Sequence, residues 1–224
     1  MRFVGVLALI AVCAPAAAQL ERISNTEAIR GLKQALSDGS VAAVARLGVE
    51  DGFFGNPGVK IPLPPSLQKV EGALRFAGMQ READELVLSM NRAAEAAVTE
   101  AKPLLLDAVK QMSVRDAKGI LSGGDTAATE YFRRKTSTQL RQRFLPIVKQ
   151  ETDRVGLAQQ YNSLAGQGAM FGLIEKDQAT VEGYVTQKAL DGLYFMIGEQ
   201  EKAFRRDPVV ASSAIVQKVF GTLR

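Results

Sequence analysis

Residues 81–112 read "READELVLSMNRAAEAAVTEAKPLLLDAVKQM". Apolar residues Leu86, Met90, Ala94, Ala97, Ala101, Leu105, Ala108 and Met112 recur at steps of three and four, mostly four. Steps of that size return to one side of an α-helix, so the run carries a single apolar seam. Alanines fill the middle of the seam, where small residues let a neighbouring helix approach closely, ridge into groove. Pro103 predicts a kink, or a second helix that starts with the proline in its first turn. A seam of this length belongs inside a helical assembly.

On the N-terminal side, "EDGFFGNPGVKIPLPP" (50–65) is the clearest loop. Its glycines turn the chain, and Pro62, Pro64 and Pro65 exclude helix. Phe53, Phe54, Ile61 and Leu63 predict a loop packed onto the core, with a ligand lid as the alternative. Further upstream, Ser24 and Glu27 have capping-box spacing at the start of a helix over 24–47. Asp38-Gly39 is a candidate break in that helix, and Gly48 a stop. Helix resumes over 66–76 and ends before Gly78.

On the C-terminal side, Ser113 and Asp116 predict a capped short helix to Leu121. A helix from Thr126 follows, with candidate interruptions near Thr136–Ser137 and at Pro146. The glycine- and glutamine-rich stretch 156–178 reads as one short helix and a loop. Helix returns over 179–206. Its "LYFMI" run (193–197) has no polar face, which predicts burial on more than one side. Gly192 and Gly198 cost roughly 1 kcal/mol each in helix propensity, for which tight packing is the expected compensation. Pro208 ends this helix, and a last short one reaches Phe220-Gly221. The one strand candidate, "GVKIPLP", is spoiled by its prolines. The expected fold is all-α: a single compact domain over 19–224, with about eight to ten helices and the Pro/Gly-rich loop near 50–65.

Residues 1–18, "MRFVGVLALIAVCAPAAA", read as a signal peptide. One basic residue precedes an apolar run too short to span a bilayer comfortably, and Ala16 and Ala18 give the small-x-small cleavage pattern before Gln19. An uncleaved anchor is the alternative. Cys13, the only cysteine, falls within this leader, with lipidation as the minor reading. The expected location is periplasmic or secreted, with no transmembrane segment after cleavage.

The mature chain would then hold neither cysteine nor histidine, since the sequence has one Cys and no His. Ser-His-Asp triads, Cys-His pairs and His-bearing metal sites are excluded. No metal site or cofactor is expected. Removing Arg2 leaves 27 basic against 24 acidic residues, a net of +3. That is mild for a nucleic-acid binder, and export argues against that role as well.

"DGFFGNPGVKIPLP", "LSMNRAAE", "EAKPLLLDAVKQM", "ILSGGDTAATEYFRRKT", "FLPIVK" and "YVTQKALDGL" follow one another in that order. Together they resemble a bacterial family, domain of unknown function number forty-one ninety-seven. The resemblance covers about residues 27–221. It implies an exported, mainly helical protein and assigns no residue a role.

Candidate chemistry therefore comes from the residues alone. Gly123-Gly124-Asp125 before a helix resembles an anion-binding turn, but no P-loop pattern is present. Asp125 reads as the structural N-cap, accepting from the amides at 127 and 128. Between 126 and 154 seven basic residues stand against three acidic ones. Arg133, Arg134, Lys135 and Arg141 are the candidate contacts for an anion or partner, with Arg134 and Arg141 expected on one face. A solvated helix face has the same pattern. Asn91 reads as a structural hydrogen bond to a neighbouring loop. Glu82, Asp84, Glu85, Glu95 and Glu100 are the carboxylates from which a hydrolase would need a facing pair. The functional expectation is a non-enzymatic binding or interaction protein of the bacterial cell envelope. Its partner would be lipid, an anionic envelope component or an envelope protein. The alternative is a carboxylate-dependent hydrolase acting on an envelope polymer.

Overall fold

The computed structural model describes residues 25–170, 180–211 and 213–221. The leader, Ser24 and the C-terminal part of the 156–178 stretch lie outside these residues. Among the described residues there are nine α-helices and no strand, in line with the all-α expectation. In chain order they are α1 (Asn25–Leu47), α2 (Pro65–Phe76), α3 (Gln80–Val98), α4 (Ala101–Lys110) and α5 (Val114–Leu121). They continue with α6 (Ala127–Thr152), α7 (Gly156–Met170), α8 (Val181–Arg206) and α9 (Ala214–Gly221), with a 3-10 turn at Pro208–Val210 between the last two.

The apolar seam of 81–112 divides at Thr99–Glu100 into α3 and α4, and Pro103 sits in the first turn of α4. Every seam residue is buried except Ala108, which is half-buried. α3, α6 and α8 pack on one another at the centre. α1 lies against α4, α8 and α9, α5 closes against α6, and α7 covers α3 and α8. Tyr131, Phe132 and Phe144 of α6, Tyr194 of α8 and Phe53 of the loop are the largest fully buried side chains. Removing such an aromatic costs about 3–5 kcal/mol, so these positions hold the bundle together.

None of the three candidate interruptions breaks its helix. α1 runs unbroken through Asp38-Gly39, because Gly39 is buried there against Gln200 and Phe204 of α8. α6 runs unbroken through Thr136 and Pro146. The Thr136 hydroxyl bonds to the Phe132 carbonyl of its own helix at 2.8 Å and meets the Tyr194 hydroxyl at 2.9 Å. Pro146 removes the amide that would serve Gln142, but both residues are exposed and water can take the carbonyl. The glycines of α8 do mark close packing. A Cβ on Gly192 would stand 2.6 Å from the Phe53 ring, and one on Gly198 would stand 3.4 Å from Thr129. Leu193, Tyr194, Met196 and Ile197 are buried as expected, whereas Phe195 is partly exposed beside Gly58.

The 50–65 loop is packed down. Phe53, Val59, Ile61 and Leu63 are buried. Asn91, fully buried on α3, accepts from the Ile61 amide at 2.9 Å and donates to the Ile61 carbonyl at 2.8 Å. Glu95, one turn further on, accepts the amides of Phe53 and Phe54 at 3.0 and 3.1 Å. Arg92 donates to Glu95 at 2.7 Å and reaches Asp51 at 2.8 Å and Glu50 at 3.2 Å. Asp51 has φ of 62°, a left-handed turn that the Arg92 ion pair helps to hold.

A candidate anion-binding cleft

The glycine turn 123–125 does precede a helix N-terminus, but its anion is internal. α6 begins at Ala127, Thr126 occupies the N-cap position and its side chain caps nothing. Asp125 is therefore not the cap. The carboxylate of Glu201 on α8 accepts the amides of Ala128 and Thr129 at 3.0 Å each, and the Thr129 hydroxyl at 3.0 Å. Glu201 is buried, and Arg205, one turn on, donates to it at 3.0 Å and to the Ile120 carbonyl at 2.9 Å. A buried carboxylate with its own arginine answers the partial positive charge of the helix end better than an exposed aspartate does. The i, i+4 spacing of Glu201 and Arg205 is visible in the sequence; their burial against a segment more than seventy residues away is not.

The basic cluster is divided by the helix. Arg134 is exposed to solvent. Lys135, turned about 200° from Arg133 at about 100° per residue, lines a small cleft between α4 and α6 with Asp107, Gln111 and Gln139. Arg133 and Arg141 instead line one cleft of about 300 Å³ between α6 and α8, with Ser137 and Thr138 beside them. Arg133, Ser137 and Arg141 follow at steps of four, a single ridge facing α8. Arg134 and Arg141 lie within about 20° of each other on the unbroken helix, as expected, but it is Arg133 that lines the cleft with Arg141.

Gln187, Leu190 and Tyr194 of α8 form the opposite wall. The Arg133 guanidinium lies 4.7 Å from the centre of the Tyr194 ring. Its nearest carboxylates, Asp191 at 3.6 Å and Glu130 at 3.9 Å, are beyond hydrogen-bonding distance. Arg141 donates to the side-chain oxygen of Gln187, whose amide group donates to Asp191 at 2.9 Å. Asp191 thus stands behind both arginines, directly for Arg133 and through Gln187 for Arg141. Burial raises the pKa of the Tyr194 phenol, opposed by its bond with Thr136 and by Arg133, so the ring is a neutral platform. Sequence reasoning missed this wall. Its sequence signal is the i, i+4 pair Gln187 and Asp191 on the polar side of α8.

The candidate carboxylates fare differently. Glu95 is consumed by two amides and Arg92, and Glu100 pairs with Arg143 at 3.4 Å. Glu82 and Glu85 are exposed. Asp84 lines a cleft of about 550 Å³ with Lys60 and Glu71, beside Pro57, Pro62 and Leu63. Among the described residues no three acidic side chains gather as a metal ion would need, and no helix is long and apolar enough to cross a membrane.

The model of a family described as "Protein of unknown function (DUF4197)" matches residues 22–221. No curated protein and no solved structure matches the chain.

Proposed function

We propose that this chain, which belongs to the DUF4197 family, is an exported, non-enzymatic binding or interaction protein of the bacterial cell envelope. In this reading it engages an anionic group in the cleft between α6 and α8. The observation that carries the proposal is the joining of Arg133 and Arg141 in one cleft, where the polar partner of Arg141 is a neutral amide. A guanidinium without a bonded carboxylate keeps donors free for a ligand. Periplasmic or secreted location is the setting that the N-terminal sequence favours. Among the described residues, the apolar void at the helix junction gives an acyl chain no room. The void between α1, α6, α8 and α9 holds about 20 Å³, room for a water and not for an acyl chain.

The test has two readouts. Osmotic-shock fluid should contain the protein beginning at Gln19, read by mass spectrometry. Washed envelope fragments should retain wild-type protein at low salt and release the Arg133→Gln/Arg141→Gln double variant. Equal retention of the two proteins, or recovery only from the cytoplasm, would sink the proposal.

A second reading, hydrolysis of an envelope polymer, is favoured by one observation: Glu71 and Asp84 line the same cleft. It requires that Asp84→Asn or Glu71→Gln abolish cleavage of a polymer the wild type degrades. Cleavage that survives both changes removes it.

A further inference from the structure

We propose that the anion taken by the cleft between α6 and α8 is a phosphate group, bound between Arg133 and Arg141 over Ser137; this rests on the anion-binding reading above. Ser137 stands four residues from each arginine, about 6 Å along the helix axis in either direction. Each guanidinium therefore has only one turn to lean for both to meet above the Ser137 hydroxyl. Thr138 adds a second hydroxyl on the same edge.

The number of donors then selects the ligand. A carboxylate has two oxygens with about four lone-pair sites, so two guanidinium forks already fill it. Two guanidinium forks and two hydroxyls together offer about six donors, more than a carboxylate accepts, and a group with three or four tetrahedrally directed oxygens accommodates them. Phosphate has that shape, and arginine pairs with it through two parallel bonds.

The surrounding charges are compatible with one such group. Glu130 and Asp191 face Arg133 at 3.9 and 3.6 Å, contacts long enough to be exchanged for shorter ones to the ligand. Asp191 does not line the cleft, and its near oxygen accepts from the Gln187 amide at 2.9 Å. Gln187 in turn holds Arg141 at the cleft wall without neutralising it. Asp191 and Gln187 are positioning residues. The phosphate can come from a lipid headgroup or from a soluble ester, and both sources present the same oxygens.

The experiment is a calorimetric and NMR titration of the protein with inorganic phosphate, and with acetate at matched ionic strength. Phosphate is expected to bind and acetate not. Arg141→Gln and Ser137→Ala should each weaken phosphate by about tenfold, with circular dichroism unchanged. Thr138→Ala, at an exposed position, provides a variant that does not disturb packing and should weaken phosphate less. Acetate binding as tightly as phosphate, with both lost in Arg141→Gln, would overturn the phosphate assignment and leave the anion site standing. Failure of both anions to bind would overturn the two readings together. Vesicles of phosphatidylglycerol separate the sources. Binding displaced by free phosphate and lost in Arg141→Gln points to a headgroup, whereas phosphate binding without vesicle binding points to a soluble ester.

Discussion

Asn91 spends its whole side chain on the backbone of a loop thirty residues away, bonding both polar groups of Ile61 and the Val87 carbonyl of its own helix. Asn91→Ala leaves the Ile61 amide and carbonyl buried without a partner. The expected loss is about 3 kcal/mol, measured by urea denaturation, since each orphaned group costs about 1–3 kcal/mol. A loss under about 1 kcal/mol would mean that water replaces the amide. This role was legible in the sequence, because a polar residue beside an apolar seam and next to a proline-rich loop has few other uses. The N-cap of α6 was misread for the opposite reason. Asp125 has the right local position, while the group that serves the amides, Glu201, is local only in three dimensions. The cleft was half legible. Arg133 and Arg141 stood out as charges, but which of the basic residues face α8 depends on the course of α8.

At the scale of elements, the helices whose ends are defined locally were the readable ones. Ser113 and Asp116 form the capping box that starts α5, with the Asp116 amide bonding to the Ser113 hydroxyl at 3.1 Å. The continuity of α1 and α6 was not readable, because burial of Gly39 and Thr136 against α8 overrides their weak helix preference. The same contrast separates two glycines. Gly119 in α5 has open space where a Cβ would go, so Gly119→Ala should stabilise the protein by about 0.5–1 kcal/mol. At Gly192 the Cβ would collide with Phe53, so Gly192→Ala should destabilise by about 1–3 kcal/mol although it improves helix propensity. Thermal melts of the two variants should shift in opposite directions. A shift in the same direction would show that the 50–65 loop gives way at no cost.

For the whole molecule, composition shapes the response to pH. There is no histidine, and the one cysteine is Cys13, so no other side chain has an ordinary pKa between about 5 and 9. The melting temperature should be nearly flat across that range. On the acid side, bonds from the Ser113 hydroxyl and then its amide lower the pKa of Asp116 from 3.8. A lowered carboxylate contributes stability that is present above 3.8 and lost as pH falls through the folded value, so the decline begins below about pH 4. On the basic side, burial, and then the nearby Tyr161, push Tyr184 from 10.0 up to about 12. The unfolded chain loses that proton first, so stability falls as pH rises from 10 towards 12. A melting curve that slopes steeply at pH 7 would contradict this account. The bond from Glu201 to the start of α6 also sets an order of events. A chain emerging N-terminus first carries Ala128 and Thr129 long before residue 201 arrives to receive their amides. Arg205, which ties down Ile120 and Gly123, arrives later still. Until then the turn between α5 and α6 is an open joint, and a chain stalled short of α8 is one that a protease can cut there.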